Sequence, residues 1–342
     1  MDPLLSDLQR TNGPRARVLL LGATGTIGLA TAHALMDRGH DLVCFVRSRK
    51  DESVDHAKER MASDFRGATL RYGDPSDRWS MVRDGFAHES FDAVISCMAS
   101  RTGSPRDAWL IDHQAHLHAL EVAKAAGVKH FILLSAICVQ KPLLHFQRAK
   151  LAFEKALMES GLTYSIVRPT AFFKSLSGQL ERVKKGKPFL IFGDGKLTAC
   201  KPISDVDLAD FIAGCLDEPS RYDQILPIGG PGPAITPREQ GECLFQLLGK
   251  EPRFKSVPVG FLDIIVGVLN GLGQFFPSLA DKAELARIGR YYATESMLVW
   301  DALTNRYDAQ LTPSHGTHTL FESYERWVNG HDLPDRGKHA VF

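Results

Sequence analysis

The sequence predicts an α/β protein built on a doubly wound parallel sheet, with a smaller C-terminal region that covers one edge of the sheet. Three observations support this fold class. Short apolar runs of strand type alternate with helical patterns through the first half of the chain, which is typical of a parallel sheet with helices on both faces. A glycine-rich turn follows the first of these runs. The 342 residues, 44% of them hydrophobic, also suffice for a sizeable core.

The predicted elements of the first half follow one another as strand and helix. The first strand is the apolar run 18–21, and the first helix, 26–38, ends before Gly39. Pro169 ends the last strand of this half because proline cannot donate a ladder hydrogen bond. The remaining strands are predicted over 41–46, 69–72, 93–97, 130–135 and 164–168, and the remaining helices over 76–87, 107–126 and 146–160.

The second half is less regular. Its one clear strand pattern, 224–228, is expected to join the main sheet, and helical patterns occur over 205–216, 237–248 and 259–276. Ligands of open parallel sheets bind beyond the carboxyl ends of the strands, so this half is expected to cover that edge and to form a substrate pocket. The predicted division is a flexible segment 1–14, a nucleotide-binding domain 15–170, a substrate-binding or lid region 171–328 and a tail 329–342.

The turn between the first strand and the first helix has the sequence Gly22-Ala-Thr-Gly-Thr-Ile-Gly28. Glycines there let the backbone turn sharply and approach a pyrophosphate, which binds the free amide groups at the helix N-terminus. The motif predicts an NAD(P)-binding Rossmann fold. Contacts with the cofactor are expected from Gly22, Thr24, Gly25, Thr26, Ile27 and Gly28.

Cations follow the second strand, where an enzyme that prefers NAD carries an acidic residue for the ribose 2′-hydroxyl. Here the chain has Arg47, Arg49 and Lys50. A guanidinium at this point favours a 2′-phosphate, so the predicted cofactor is NADPH. The alternative is a solvated cationic loop.

Several polar or small residues follow the carboxyl ends of the predicted strands and should open onto one crevice. Asp74 is a candidate acceptor for the adenine amino group, although a simple turn residue explains it equally well. Ala99 and Ser100 are expected along the adenine and ribose. The other candidates at this edge are Ser135 and Cys138 for catalysis, and Pro169 and Thr170 for cofactor binding.

The helix 146–160 opens with Phe146-Gln-Arg-Ala-Lys150. Short-chain dehydrogenases place a Tyr-x-x-x-Lys motif here, with both side chains on one helix face. The lysine is present and the tyrosine is absent. Because a phenyl ring offers no proton for a developing alkoxide, ordinary carbonyl reduction is disfavoured. Lys150 can still hydrogen-bond the nicotinamide ribose or act through water. The alternative to such a role is that Lys150 is an ordinary exposed lysine on the helix.

The block 133–154, with Ser-Ala-Ile-Cys-Val-Gln-Lys-Pro and Phe-Gln-Arg-Ala-Lys, resembles the divinyl chlorophyllide 8-vinyl reductases. These form a branch of the atypical short-chain reductases, related to the isoflavone reductase and NmrA-like groups, and the resemblance runs from Arg17 to about Trp300. It implies an NADPH-dependent oxidoreductase that reduces the C=C bond of the 8-vinyl group of divinyl chlorophyllide or protochlorophyllide in chlorophyll or bacteriochlorophyll synthesis. It also implies that Gly22, Gly25, Gly28 and Arg47 hold the cofactor and that Ser135 and Lys150 occupy the active site.

This chemistry is compatible with the missing tyrosine. Hydride addition to the terminal vinyl carbon leaves charge delocalised through the tetrapyrrole, so no single oxyanion demands a strong acid. The inner carbon can then take its proton from water, Lys150 or Cys138.

A tetrapyrrole also needs an apolar slot and a cation for its propionate. We expect the slot from Phe172 and Phe173 and a lid from 259–276, although aromatic residues on helices are often simply core. The candidate partners of the carboxylate are Lys141, His145, Arg148 and Lys174.

Composition excludes several other classes. A net charge of +1 gives no support for nucleic-acid binding, and the polar residues within 259–276 argue against a membrane span.

A metal site is not expected either. His113, His116 and His118 have no acidic residue or cysteine at metal-ligand spacing and are expected to be surface histidines. Any magnesium arrives within the substrate. The polar N-terminus and the scattered cysteines predict a bacterial cytoplasmic protein, with peripheral contact with photosynthetic membranes left open.

Three alternatives remain from the sequence. One is an NmrA-like NADP(H)-sensing regulator without catalysis, against which the presence of Lys150 beside Ser135 argues. The second is a related reductase of a phenolic or isoflavonoid-like substrate. The third is a structural nucleotide-binding subunit of a larger complex.

Overall fold

The computed structural model describes residues 15–47, 61, 63–273, 277–331 and 333. Its centre is a seven-stranded parallel sheet, which confirms the predicted fold class. The strands of this sheet are β1 (Arg17–Leu21), β2 (Asp41–Arg47), β3 (Thr69–Gly73), β4 (Ala93–Ser96), β5 (His130–Leu134), β6 (Thr163–Pro169) and β8 (Gln224–Ile228). Two small sheets add the parallel pair β7 (Phe189–Phe192) and β9 (Phe254–Val257) and the antiparallel pair β10 (Val299–Asp301) and β11 (Arg306–Asp308).

Helices cover both faces of the large sheet and build most of the second half. The α-helices of the described residues are α1 (Thr26–Asp37), α2 (Arg78–Ser80), α3 (Pro105–Ala108), α4 (His116–Ala125), α5 (His145–Met158), α6 (Phe173–Leu176), α7 (Leu180–Lys184), α8 (Asp205–Gly214), α9 (Pro237–Leu247), α10 (Val259–Gly273), α11 (Pro277–Thr294) and α12 (Leu320–Val328).

The strand order is β3-β2-β1-β4-β5-β6-β8. The chain therefore runs outwards from β1 to one edge and then returns past β1 to continue on the other side. The helices that follow β1 and β4 pack on opposite faces of the sheet, so a crevice opens beyond the carboxyl ends of these two strands, where ligands of such sheets bind. The strand predicted over 224–228 is the last one in the sheet, where it pairs in parallel with β6.

Alternate residues of the central strands enter two separate cores because both faces of the sheet are buried. Val18 and Leu20 of β1 pack with Leu208 and Ile212 of α8, whereas Leu19 and its neighbours face α4 and α5 on the other side. A third core lies beneath the second half. Its members include Ile137, Phe173, Leu180, Leu244, Ile288, Tyr291 and Tyr324.

Two predicted helices contain wide turns. The helix predicted over 76–87 begins as α2 and continues as the π-helical segment Met81–Phe86, which ends at Ala87 in the left-handed region with φ 51°. The helix predicted over 107–126 contains the π-helical segment Trp109–Ala115 between α3 and α4. π-Helical turns are rare and are frequent at functional sites, and the second of these carries Asp112.

Candidate active site

The glycine turn after β1 needs two of its glycines for the fold itself. Gly22 has φ +78°, and a Cβ atom there would lie 2.7 Å from the Cys97 carbonyl carbon. A Cβ atom on Gly28 would lie 2.1 Å from the Gly22 carbonyl oxygen. Gly25 differs, because the Gly22 oxygen, at 3.5 Å, is the one atom of the non-adjacent described residues that would lie within 4 Å of a Cβ atom there. The turn therefore closes on the sheet at Gly22 and Gly28 and leaves space in front of Gly25.

The N-terminus of α1 faces this space. Gly25 occupies the N-cap position, and no side chain caps the helix. Thr24, Gly25 and Thr26 are exposed, whereas Ile27 and Gly28 are buried. Uncapped amide groups at the positive end of a helix, behind a glycine turn, form a cradle for a phosphate. The residues at this turn thus fit the pyrophosphate of a nicotinamide dinucleotide.

Arg47 and Asp74 lie side by side at the carboxyl ends of β2 and β3. The Arg47 Nε atom is 3.9 Å from Asp74 Oδ1, and both side chains are about half exposed. Asp74 Oδ1 also accepts hydrogen bonds from the amide and the hydroxyl of Ser76, at 2.9 and 2.6 Å. Asp74 thus has the turn contacts that its alternative interpretation predicted. Arg49 and Lys50 lie outside the described residues.

A cavity of about 620 Å³ opens beside the carboxyl ends of β4, β5 and β6. The second half of the chain contributes its far wall, including Phe192, Ile288 and Tyr292. The cavity brings together nine of the residues that were predicted from the sequence. These are Ala99, Ser100, Ser135, Cys138, Lys150, Pro169, Thr170, Phe172 and Lys174.

Lys150 forms a buried ion pair in the wall of this cavity. Its Nζ atom is 3.0 Å from Asp112 Oδ1, and the two side chains are 10% and 0% exposed. The Ser100 amide donates a hydrogen bond to the same oxygen over 3.3 Å. Asp112 Oδ2 has no hydrogen-bond partner within the part of the chain that the structure describes. Lys150 is therefore not an exposed helix lysine: its ammonium group is fixed at the cavity by a buried carboxylate.

The hydroxyl group of Ser135 faces away from substrate chemistry. It donates a hydrogen bond to the carboxylate of Glu154, which is buried and paired with Arg168. The Arg168 Nε atom donates to Glu154 Oε1 over 3.2 Å. The Ser135 proton is thus held by a buried carboxylate, so this serine forms part of the wall and can accept a hydrogen bond from the cavity.

A phenol group reaches the cavity from the second half. Phe146, at the position of the missing tyrosine, lines the cavity, and Tyr292 of α11 lines it as well. The Tyr292 phenol lies beside the Cys138 thiol. Burial raises the pKa of both groups, so both keep their protons at neutral pH. The neighbouring Tyr291 donates its hydroxyl proton to the Cys138 carbonyl oxygen over 2.9 Å and lies in the third core.

The sequence analysis missed Asp112, Glu154, Arg168 and Tyr292. Asp112 and Glu154 carried one available signal, because each is a carboxylate among apolar residues of a helix that covers the sheet. Tyr292 carried none, since nothing local indicates that α11 reaches β5.

The expected substrate residues differ in their positions. Lys174 lies in the cavity wall, and its Nζ atom donates to Thr26 Oγ1 of the glycine turn over 2.9 Å. Phe172 lines the cavity, whereas Phe173 is buried in the third core and does not. Phe172 is partly buried and Phe173 is buried. The backbone of Phe172 is extended at the start of α6, where adjacent side chains point in opposite directions.

The other three expected carboxylate partners lie away from the cavity lining. Lys141 pairs with Glu295 at 3.0 Å and lies 3.8 Å from the centre of the Trp300 ring. The Arg148 Nε atom donates to the Pro142 carbonyl oxygen over 3.3 Å. The backbone amide of His145, at the start of α5, donates to Glu284 over 3.0 Å. Of the four expected carboxylate partners, Lys174 therefore lines the cavity and the other three do not.

The helix expected as a lid, 259–276, is α10 up to Gly273, and residues 274–276 lie outside the described residues. No described residue of α10 lines the cavity, which is covered by Ile288 and Tyr292 of α11 instead. Phe261, Ile264 and Val268 of α10 are exposed. Among the described residues, no helix has the length and apolar character that a membrane crossing requires.

His113, His116 and His118, which lie close together in sequence, do not form a metal-binding cluster. His116 is buried: its Nδ1–H group donates to the Ile111 carbonyl oxygen at 2.7 Å, and its Nε2 atom lies 2.9 Å from the Ser96 hydroxyl. The expectation of a surface histidine is therefore wrong at this position. His118 contacts Gln114 and the Ser76 carbonyl oxygen. Across the described ranges, no three His, Cys, Asp or Glu residues are placed to hold a metal ion.

Comparisons with known proteins agree with this geometry. Residues 22–219 match a family described as NAD(P)H-binding. Proteins named divinyl chlorophyllide a 8-vinyl-reductase, chloroplastic, from Cucumis sativus and from Oryza sativa subsp. indica are each 48% identical, over 98% and 95% of this chain and 82% of their own lengths. A solved structure described as AtPrR2 with NADP+ and (+)pinoresinol shares the fold, with a TM-score of 0.69, 19% identity, 92% of this chain and 100% of that chain covered.

One sequence-based expectation is overturned by these comparisons. The polar N-terminus and the cysteine distribution predicted a bacterial cytoplasmic protein. The similar proteins from Cucumis sativus and Oryza sativa are named as chloroplastic.

The burial of His116 predicts a pH-dependent stability. Burial, together with the nearby Lys150 charge, lowers the pKa of His116 from 6.5 to about 4. Below pH 6.5 the unfolded chain binds a proton that the folded chain refuses, so the free energy of unfolding falls as the pH drops from 6.5 to 4, by up to about 1.4 kcal/mol per pH unit. We expect His116→Gln to remove this part of the slope in urea unfolding measured between these pH values.

His130 provides the internal reference for this measurement. Its pKa is also lowered to about 4 by burial, and it is present in both proteins, so the difference between the two slopes reports His116 alone. Identical slopes for the wild-type protein and His116→Gln would mean that His116 does not titrate as its burial requires.

Proposed function

We propose that this chain, which belongs to the divinyl chlorophyllide a 8-vinyl-reductase family, reduces the 8-vinyl group of divinyl chlorophyllide or protochlorophyllide to an ethyl group. The observation that carries the proposal is 48% identity to proteins of that name over nearly the whole chain. The cavity supports it, because a chamber of about 620 Å³ beside a dinucleotide turn has room for part of a large planar substrate. The proposed pathways are chlorophyll and bacteriochlorophyll synthesis.

We propose NADPH as the form of the nicotinamide cofactor. When bound, it supplies a hydride to the substrate. The half-exposed guanidinium group of Arg47 lies at the carboxyl end of β2, where the ribose 2′-position of a dinucleotide is read. A fixed positive charge there favours a 2′-phosphate over a hydroxyl group. Asp74, next to Arg47, is the proposed partner of the adenine, with Ala99 and Ser100 along the same path.

We propose that Lys150 positions the nicotinamide ribose. Its ammonium group has three donors, and one points to Asp112. Lys150 lines the same cavity as Ser100 and Ser135, so the remaining donors are available to a ligand there. A donor held by a buried carboxylate cannot rotate away, so it can fix the ribose and keep the nicotinamide face towards the cavity. Pro169 and Thr170 complete the proposed cofactor wall.

We propose that the second half of the chain holds the tetrapyrrole, so that residues 15–170 bind the cofactor and residues 171–328 bind the substrate. Phe172 provides apolar surface in the cavity. Lys174 provides a cation next to Thr26 of the glycine turn and is the proposed partner of the propionate. The buried Lys150–Asp112 pair at the same cavity favours an enzyme over a regulator that only senses the cofactor, because a sensor does not need it.

The test of this function is an anaerobic incubation of the purified protein with divinyl chlorophyllide and NADPH. We expect a blue shift of the Soret band and a mass gain of two hydrogens, with slower turnover for NADH. If the protein binds NADPH but does not reduce the pigment, the result favours the regulator.

The role of Arg47 is tested by the cofactor preference. We expect Arg47→Ala to lower the preference for NADPH over NADH tenfold or more, because a charge-assisted hydrogen bond contributes about 1.5–3 kcal/mol. An unchanged preference would show that Arg47 does not bind the 2′-phosphate.

Removing the Lys150 ammonium group should abolish most turnover. We expect Lys150→Met to reduce kcat by about 100-fold, because a misplaced cofactor loses its orientation towards the vinyl group. The exposed Lys155→Met on the same helix is the control and should retain activity.

A second variant separates catalysis from folding in this test. Lys150→Met leaves Asp112 buried and unpaired, which costs about 3–5 kcal/mol of stability. Adding Asp112→Asn should restore stability without restoring turnover, as measured by urea unfolding and initial rates. Normal NADPH binding and turnover in Lys150→Met would exclude both the ribose-binding role and a proton-relay role.

We also propose a peripheral contact with a membrane surface through α10. Phe261, Ile264 and Val268 are spaced to share one helix face, and all three are more than half exposed. We expect Ile264→Ser combined with Val268→Ser to reduce sedimentation of the protein with vesicles of galactolipid and phosphatidylglycerol. Leu303→Ser, at an exposed residue outside α10, is the control. Equal sedimentation of both variants would exclude α10 as the contact.

A further inference from the structure

We propose that Tyr292 donates the proton that completes the reduction, taking the place of the tyrosine that is missing at position 146. This inference rests on the proposed function, since it concerns the inner carbon of the vinyl group. It assigns a role to a residue of the second half that the glycine turn and the lysine motif do not identify. Three observations carry it: the position of Tyr292, its neighbour Cys138, and the contacts of the other proton-bearing groups in the same wall.

The first observation is the position of Tyr292 in the cavity wall. The residue lies on α11, one turn beyond Ile288, and both line the cavity. Tyr292 is 38% exposed, so part of its surface is open to the cavity that it lines. Phe146 lines the same cavity from α5. The phenol that α5 lacks is thus supplied by a different element.

The second observation is the neighbour of the Tyr292 phenol. The phenol lies beside the Cys138 thiol, and a thiol sulphur is a weak acceptor. The thiol therefore does not hold the phenol proton as a carboxylate would. Burial keeps the pKa of Tyr292 above its ordinary value, so the group remains protonated throughout the neutral range.

The third observation concerns the other groups in this wall. The proton of Ser135 is held by Glu154. The ammonium group of Lys150 is paired with Asp112, and loss of its proton would break that buried ion pair. Cys138 is 2% exposed, whereas Tyr292 is 38% exposed. Of these four residues, Tyr292 is the most accessible from the cavity, and it can release its proton without breaking an ion pair.

The proposed step balances as a two-electron reduction. A hydride from NADPH forms a C–H bond at the terminal vinyl carbon, the C=C bond becomes a single bond, and NADPH becomes NADP⁺. The electron pair passes into the macrocycle and onto the inner carbon. The O–H bond of Tyr292 then breaks, its proton forms the C–H bond at the inner carbon, and water returns a proton to the phenolate.

The experiment compares Tyr292→Phe with Tyr291→Phe in the full chain. Tyr291 is the matched control because its hydroxyl group bonds a backbone carbonyl in the third core. We expect Tyr292→Phe to lower kcat by about 100-fold or more, the usual contribution of a general acid, with the Kd for NADPH unchanged. Tyr291→Phe should stay within about threefold of the wild-type protein, since it keeps the Tyr292 phenol.

Isotope effects distinguish a proton donor from a residue that only shapes the cavity. Without the phenol, protonation becomes the slow step, so Tyr292→Phe should show a larger rate decrease in D₂O and a smaller effect of deuterium at nicotinamide C4 than the wild-type protein. If the variant is unstable, replacement of Tyr292 by 3-fluorotyrosine, which preserves the shape and lowers the phenol pKa, should shift the alkaline limb of the pH–rate profile to lower pH.

Three results would overturn the inference. The first is a Tyr292→Phe variant with wild-type kcat, and the second is a lowered kcat with unchanged isotope effects. In both cases the wild-type protein still reduces divinyl chlorophyllide, so the proposed function stands. The third is a wild-type protein that reduces no divinyl pigment, which removes the proposed function and this inference together.

Discussion

The buried ion pair between Lys150 and Asp112 is the contact on which the arrangement of the cavity depends. A lysine in an apolar wall keeps its charge only if a carboxylate lies beside it, and Asp112 is brought there by the π-helical segment Trp109–Ala115. The pair ties this segment to α5. Because α5 also carries Phe146 and Glu154, the same contact fixes the ring that replaces tyrosine and the carboxylate that holds Ser135.

The two ends of the proposed reaction come from different parts of the chain. The first half supplies the glycine turn, Arg47 and Lys150, which are parts of a dinucleotide site. The second half supplies Phe172, Lys174 and Tyr292, which face that site across the cavity. In the proposed reaction the cofactor gives a hydride from one side of the cavity and the Tyr292 phenol gives a proton from the other. The apolar surface between them suits this reduction, because its charge is spread over the tetrapyrrole and no localised oxyanion has to be stabilised.

Local pattern predicted much of the fold and part of the site. The glycine turn, the seven strands of the large sheet and the position of Lys150 follow from short-range spacing. The pairing of Lys150 with Asp112 and the approach of Tyr292 to Cys138 could not be predicted, because each joins segments distant in sequence. The adjacent Phe172 and Phe173 separate for a similar reason: only packing against Leu180 and Ile235 decides which one enters the third core.

The fate of each new hydrogen tests the central claim most directly. The protein is incubated with divinyl chlorophyllide and NADPH that carries deuterium at both C4 positions, and in parallel with ordinary NADPH in D₂O; the ethyl group is then examined by NMR. The account predicts one deuterium on the methyl carbon in the first reaction and one on the methylene carbon in the second. Deuterium from NADPH on the methylene carbon, or none in the ethyl group, would contradict it.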